Sequence, residues 1–211
     1  MSMLPTYVAG WRESADAVLA LVAGLDDATA ETPTDCPGWT VRDVVAHLAH
    51  LESVMADGTP DESGTGATEL VSSYTEAGVE ARRDRSLAQV ADELREAVDR
   101  VAERLDDQLP DDPSTPAPVT PGGVSWSWDT LLRNRCLDMW VHEQDIRRAL
   151  DRPGGFDTTA AQVVTMSMSF AMPYVLGKRV RPPAGTTVRW QVTEPVPVDL
   201  AVLVGDDGRA H

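Results

Sequence analysis

Hydrophobic positions recur at spacings of three and four along four long stretches of this chain. From about Pro5 to Leu25, Val8, Trp11, Ala15, Val18, Val22 and Leu25 fall on one face of a helix. A second stripe, Val41, Val44, Leu48, Leu51 and Met55, spans 40–56, and Thr40 and Asp43 form a T-x-x-D capping pattern at its start. Leu87, Val90, Leu94, Val98, Val101 and Leu105 predict a third helix over 86–107. The fourth covers 127–150 and is stopped by Arg152-Pro153-Gly154-Gly155. A weaker pattern predicts a short helix over 68–83. Val163, Met166, Phe170 and Tyr174 predict another from about Thr158 to Leu176, with Pro173 inside it.

The segments between are loops by composition. Asp57 to Thr65 is polar, and Pro110 to Gly123 carries four further prolines and no period. After Pro182-Pro183 the period changes to two. Val188, Trp190 and Val192 alternate with polar neighbours, as do Val198, Leu200, Val202 and Val204, which predicts two strands. A turn follows at Gly205 to Gly208, with no strand expected after it. Two strands alone are marginally stable. They are expected either to pack on the helices or to begin a small second domain that the chain carries only in part.

Composition narrows the class. The 211 residues suffice for one good core and a smaller appendage, read here as helices over 1–155 and a helix with two strands over 156–211. A net charge of -16 argues against nucleic acid and against an anionic membrane surface, since both need clustered Lys and Arg. No apolar run approaches the length of a membrane span. Cys36 and Cys136 form no motif with each other, and no signal peptide is visible. Free thiols in a cytoplasmic protein, monomer or homodimer, are expected rather than a disulfide.

The chemistry concentrates in Asp138-Met-Trp-Val-His142-Glu-Gln-Asp145. Residues four apart on a helix share a face, so Asp138 and His142 can grip one ion. His47, on the edge of the second apolar stripe, is a third candidate ligand from another helix. Three protein ligands leave a coordination position open for chemistry. His50, three residues on, can replace or assist His47. Asp145 suits an orienting role, accepting the other N–H of an imidazole, or it pairs with Arg148. By spacing alone, Arg135, Asp138, His142 and Asp145 read first as a solvated stripe with an i,i+4 pair between Asp138 and His142, and Cys36 beside Pro37 and Trp39 reads as a packing residue.

Cys36-Pro-Gly-Trp-Thr-Val-Arg-Asp-Val-Val-Ala-His47 and Trp140-Val-His-Glu-Gln-Asp-Ile-Arg147 resemble the two signatures of the mycothiol-dependent maleylpyruvate isomerase family, within the DinB-like metal-binding superfamily. The resemblance covers residues 1 to about 180. It implies a mainly α protein: an antiparallel four-helix bundle of 5–25, 40–56, 86–107 and 127–150, with a short, incomplete C-terminal α/β element. It also implies a divalent metal, zinc above all, on His47, Asp138 and His142. The isomerase pattern has Glu at the position of Asp138, and Asp is shorter by one methylene. His₂Asp with an open position also suits Fe(II), Mn or Ni.

The resemblance further implies mycothiol as the thiol cosubstrate. The expected activity is S-transfer or isomerisation of a small electrophile through a metal-bound thiolate. Arg135, Asp145 and Arg147 are the expected catalytic contacts, and Asp43 and His50 the expected cofactor contacts. The alternatives are a non-catalytic metal or small-ligand binding module and a bundle without metal. The partners expected are a small electrophile and a low-molecular-weight thiol, with no nucleic acid and no membrane.

Overall fold

The structure is a computed structural model and describes residues 2–59 and 71–211. Seven α-helices occur among these residues: α1 Leu4–Val22, α2 Asp27–Ala30, α3 Val41–Asp57, α4 Ser72–Glu80, α5 Leu87–Gln108, α6 Trp128–Ala149 and α7 Thr159–Tyr174. A 3-10 turn lies at Pro121–Gly123. A π-helical turn at Val175–Val180 leads to strands β1 (Thr187–Val192) and β2 (Val198–Leu203). The expected loop over 57–65 and the start of the expected helix over 68–83 lie partly outside the described residues.

The four long helices close into a ring. α1 packs on α6 and α5, and α3 packs on α5 and α6. The apolar stripes meet in one core that includes Trp11, Val18, Val44, Leu48, Leu94, Val98, Leu131, Met139 and Ile146. Burial of each large aliphatic side chain here favours folding by roughly 1.5–3 kcal/mol.

Side-chain caps fix the helix starts. Thr40 accepts a hydrogen bond from the Asp43 backbone N–H, and the Asp43 carboxylate accepts from the Thr40 backbone N–H at 3.0 Å, so α3 begins on a closed capping box. Ser86 and Gln89 form a second box at the start of α5. Gly58 ends α3 with φ +69°. A Cβ there would stand 2.4 Å from the Arg104 guanidinium, which donates to the last carbonyls of α3 at Met55 and Ala56. α1 stops at Val22, three residues short of the periodic pattern, because Gly24 turns left-handed at φ +71°. Leu25 still packs on the core from outside the helix. The four-residue α2, capped by Asp26, has too little sequence to show a period.

α7 lies on α1 and α6. Gly10 permits this approach, since a Cβ there would stand 2.8 Å from Cys136 Sγ and 3.0 Å from the Ala160 backbone. Cys136 is fully buried, and desolvation pushes its thiol up to about 12, so it is an inert packing residue.

The two strands pair antiparallel, with Thr187 opposite Leu203 and Val192 opposite Val198. A second, small core forms around Leu176, Val202 and Val204, joined by Met172, Val188, Trp190, Leu200 and Ala210. Beyond the turn the tail does come back: Leu203 and His211 exchange backbone hydrogen bonds, and Val204 bridges Ala210. The return is an isolated bridge rather than a strand. No helix among the described residues is long and apolar enough to cross a membrane.

Candidate metal centre

His47 lies on the inner face of α3, at 4% exposure, and Asp138 and His142 lie one turn apart on α6. Their ligand atoms all fall within 4.8 Å of one another. His47 Nε2 is 3.4 Å from Asp138 Oδ2 and 3.5 Å from Oδ1, and His142 Nε2 is 3.6 Å from Oδ1. Ligands about 2.1 Å from a tetrahedral zinc stand roughly 3.4 Å apart. Two imidazole nitrogens and one carboxylate at these separations therefore fit a zinc-sized divalent ion. The two rings meet edge to face, with centroids 4.8 Å apart.

The second ring nitrogen of His142 is held. Its Nδ1 lies 3.0 Å from Asp145 Oδ2, while Asp145 Oδ1 takes Arg148 Nη2 at 2.5 Å. Asp145 thus both orients the imidazole and pairs with Arg148, one oxygen for each. Burial would lower the His142 pKa, but hydrogen bonds to Asp145 and Cys36 and the charge of Asp138 outweigh it. The ring is raised to about 10. Burial likewise opposes ionised Asp138, yet Arg135 and the two histidines hold its carboxyl well below the usual range. His47 Nδ1 has no hydrogen-bond partner among the described residues.

One aromatic ring and one sulfur complete the surroundings. Trp39 lies over both histidines, its ring centroid 5.1 Å from His47 and 6.2 Å from His142. Cys36, expected only to pack, donates to Asp145 Oδ2 at 3.1 Å and approaches His142 Nδ1 at 3.8 Å. Sulfur and carboxylate share the same ring nitrogen. A nucleophilic Cys-His-Asp triad needs them on opposite nitrogens of the ring, so the arrangement supports the imidazole rather than activating the thiol.

The other expected contacts lie elsewhere or act at one remove. Arg135 is 4% exposed and its described hydrogen bonds are internal. Nε and Nη2 donate to Glu52 Oε1 at 3.1 and 2.9 Å, and Nη1 to Asp138 Oδ2 at 3.1 Å. It braces a ligand carboxylate. Arg147 turns to Glu143 at 2.7 Å and to the Arg152 carbonyl, away from the histidines, because it is offset by two residues from Asp145 rather than three or four. Asp43 is buried in the capping box of α3. His50 packs on α4, its ring 5.0 Å from that of Tyr74 and against Gly78, where a Cβ would collide at 2.1 Å.

Glu52 was not anticipated. It is fully buried and accepts from Trp11 Nε1 at 3.0 Å as well as from Arg135. It continues the inward spacing Val45, Leu48, Glu52, which is the one sequence signal that separates it from a surface glutamate.

Residues 11–147 match the model of the mycothiol maleylpyruvate isomerase N-terminal domain. The fold is similar to two crystal structures of the mycothiol-dependent maleylpyruvate isomerase. One, of a histidine-to-alanine mutant, has TM-score 0.61, and the other has TM-score 0.59. Each is 14% identical, over 87% of this chain and 75% of that one. No curated protein matches the chain by sequence. With the family match spanning both signature helices, the chain belongs to the mycothiol maleylpyruvate isomerase N-terminal domain family, a DinB-like helical fold.

Proposed function

We propose that the protein is a metal-dependent, mycothiol-dependent enzyme that transfers the thiol to a small electrophile or isomerises it. The observation that carries this reading is the convergence of His47 on α3 with Asp138 and His142 on α6, their ligand atoms within 4.8 Å of one another. A divalent ion, zinc first, held by these three would supply the Lewis acidity that keeps a thiol ionised at neutral pH.

The chain's own residues have distinct parts. Asp145 fixes the His142 ring so that Nε2 faces Asp138. Arg135 engages Asp138 Oδ2 and leaves Oδ1 toward the histidines. The Trp39 ring covers the imidazoles on one side and restricts water there. Asp138 is the most open member of the three, its side chain 26% exposed, so a substrate reaches the group along that side. Arg135 is committed to Glu52 and Asp138 and is not available to grip an anionic substrate.

The test is elemental analysis of protein purified without a metal-affinity tag, followed by transfer of mycothiol to a small electrophile, with the uncatalysed rate subtracted. Bound metal with metal-dependent turnover supports the proposal. Bound metal with no turnover toward any electrophile favours a binding module. Absence of metal binding overturns the proposal.

A further inference from the structure

We infer that Glu52 is a positioning residue of the metal site, acting through Arg135 to keep one oxygen of Asp138 available to the ion. The inference rests on the metal-site reading above and concerns residues that do not touch the ion.

Glu52 sits five residues after His47 on α3, and Arg135 sits three residues before Asp138 on α6. The guanidinium joins the two helices. Its Nε and Nη2 edge lies along Glu52 Oε1, and its remaining nitrogen, Nη1, makes the single bond to Asp138 Oδ2. Trp11 Nε1, from α1, donates to the same Glu52 oxygen and fixes it from the third side. Glu52 and Arg135 are almost wholly buried, with side chains 1% and 5% exposed.

An arginine beside a lone carboxylate pairs with it through two parallel bonds. Such a fork on Asp138 would engage both its oxygens and remove it as a ligand. Glu52 holds the forked edge instead, so Arg135 reaches Asp138 with one donor and leaves Oδ1 facing the histidines. Charge makes the same demand. A divalent ion and a buried guanidinium bring three positive charges close to one aspartate. Glu52 supplies the second negative charge, and no other carboxylate is hydrogen-bonded to Arg135 among the described residues. The shorter side chain of Asp138 sharpens the requirement, because it has less reach with which to swing away from Arg135.

The experiment measures zinc affinity by competition with a chromophoric chelator in the tag-free full chain. The visible spectrum of the cobalt(II)-loaded protein is a second readout that does not depend on turnover. Glu52→Gln keeps the shape and an acceptor for Trp11 but removes the charge. It is expected to weaken zinc by about 10–100-fold and to alter the cobalt spectrum. Adding Arg135→Met to Glu52→Gln is expected to recover affinity, because the uncompensated guanidinium is gone. A purely structural glutamate predicts the reverse, with the second substitution adding further loss. Should Glu52→Gln not fold, Glu52→Asp carries the test. It keeps the charge but draws the carboxylate back from the Nε and Nη2 edge, freeing that edge to fork onto Asp138, and is expected to weaken zinc to a similar degree. Parent affinity in Glu52→Gln or in Glu52→Asp, or no recovery in the double variant, overturns the inference while leaving the metal site intact. If the parent chain itself binds no zinc, the metal-site reading fails and the inference fails with it.

Discussion

Asp145 Oδ2 lies 3.0 Å from His142 Nδ1, and this one contact sets which nitrogen of the ring faces Asp138. With Nδ1 held as the donor, Nε2 becomes the lone-pair nitrogen once the ring is neutral. Asp145→Asn should therefore weaken zinc by about 10–100-fold while leaving the helical circular-dichroism signal in place. Chelator competition measures it. An Asn variant with parent affinity would mean that the ring is oriented by packing under Trp39 instead.

Proton and metal compete for His142. In the metal-free protein the ring is raised from 6.5 to about 10. Its charged form contributes stability that is fully present below about pH 6.5 and is lost as pH rises through about 10. An ion requires the same ring neutral at Nε2. Zinc affinity should thus climb with pH across that window, by up to about tenfold per unit, and uptake at pH 7 should release about one proton from His142. Titration calorimetry in two buffers of different ionisation heat counts the proton. Heats that do not depend on the buffer would contradict the protonated state of the empty site.

Cys36 touches Asp145 and His142 from outside the cluster. Cys36→Ser keeps a donor for Asp145 and is expected to retain both zinc and turnover, the latter within a few-fold. Loss of turnover with fold and metal intact would identify the thiol as a reacting group.

The Thr40 capping box fixes the start of the helix that carries His47. Thr40→Ala should lower unfolding stability by about 1 kcal/mol, within a range of roughly 0.5–2. Its effect on zinc affinity should be small, because His47 lies two turns farther along α3. Denaturant melts of the metal-free and zinc-loaded forms separate the two effects.

The long helices were legible because their periods are long and their ends are marked. The Thr40 cap read from the sequence is present in the structure, and Arg152 to Gly155 follows the end of α6. The convergence of His47 with Asp138 and His142 was legible from a four-residue spacing on one helix and two short signatures. Glu52 was not, because a charged residue one position past Leu51 reads as solvent-facing until its partner is known. That partner, Arg135, lies 83 residues away. The partners of Arg147 are hidden in the sequence for a related reason. It belongs to the second signature by sequence, yet helical geometry turns it toward Glu143 and the loop before α7. The role of Cys36 depends on a loop folding back onto α6, which no local period encodes.

The central claim, that His47, Asp138 and His142 hold one ion, is tested most directly by zinc stoichiometry in four tag-free proteins: the parent, His47→Ala, Asp138→Ala and His142→Ala. The parent should bind a single zinc per chain. Each variant should lose it together with mycothiol transfer, while keeping most of its helical signal, because the four apolar stripes hold the bundle without metal. A variant that binds zinc as tightly as the parent, or that transfers mycothiol at the parent rate with no metal bound, would contradict the account.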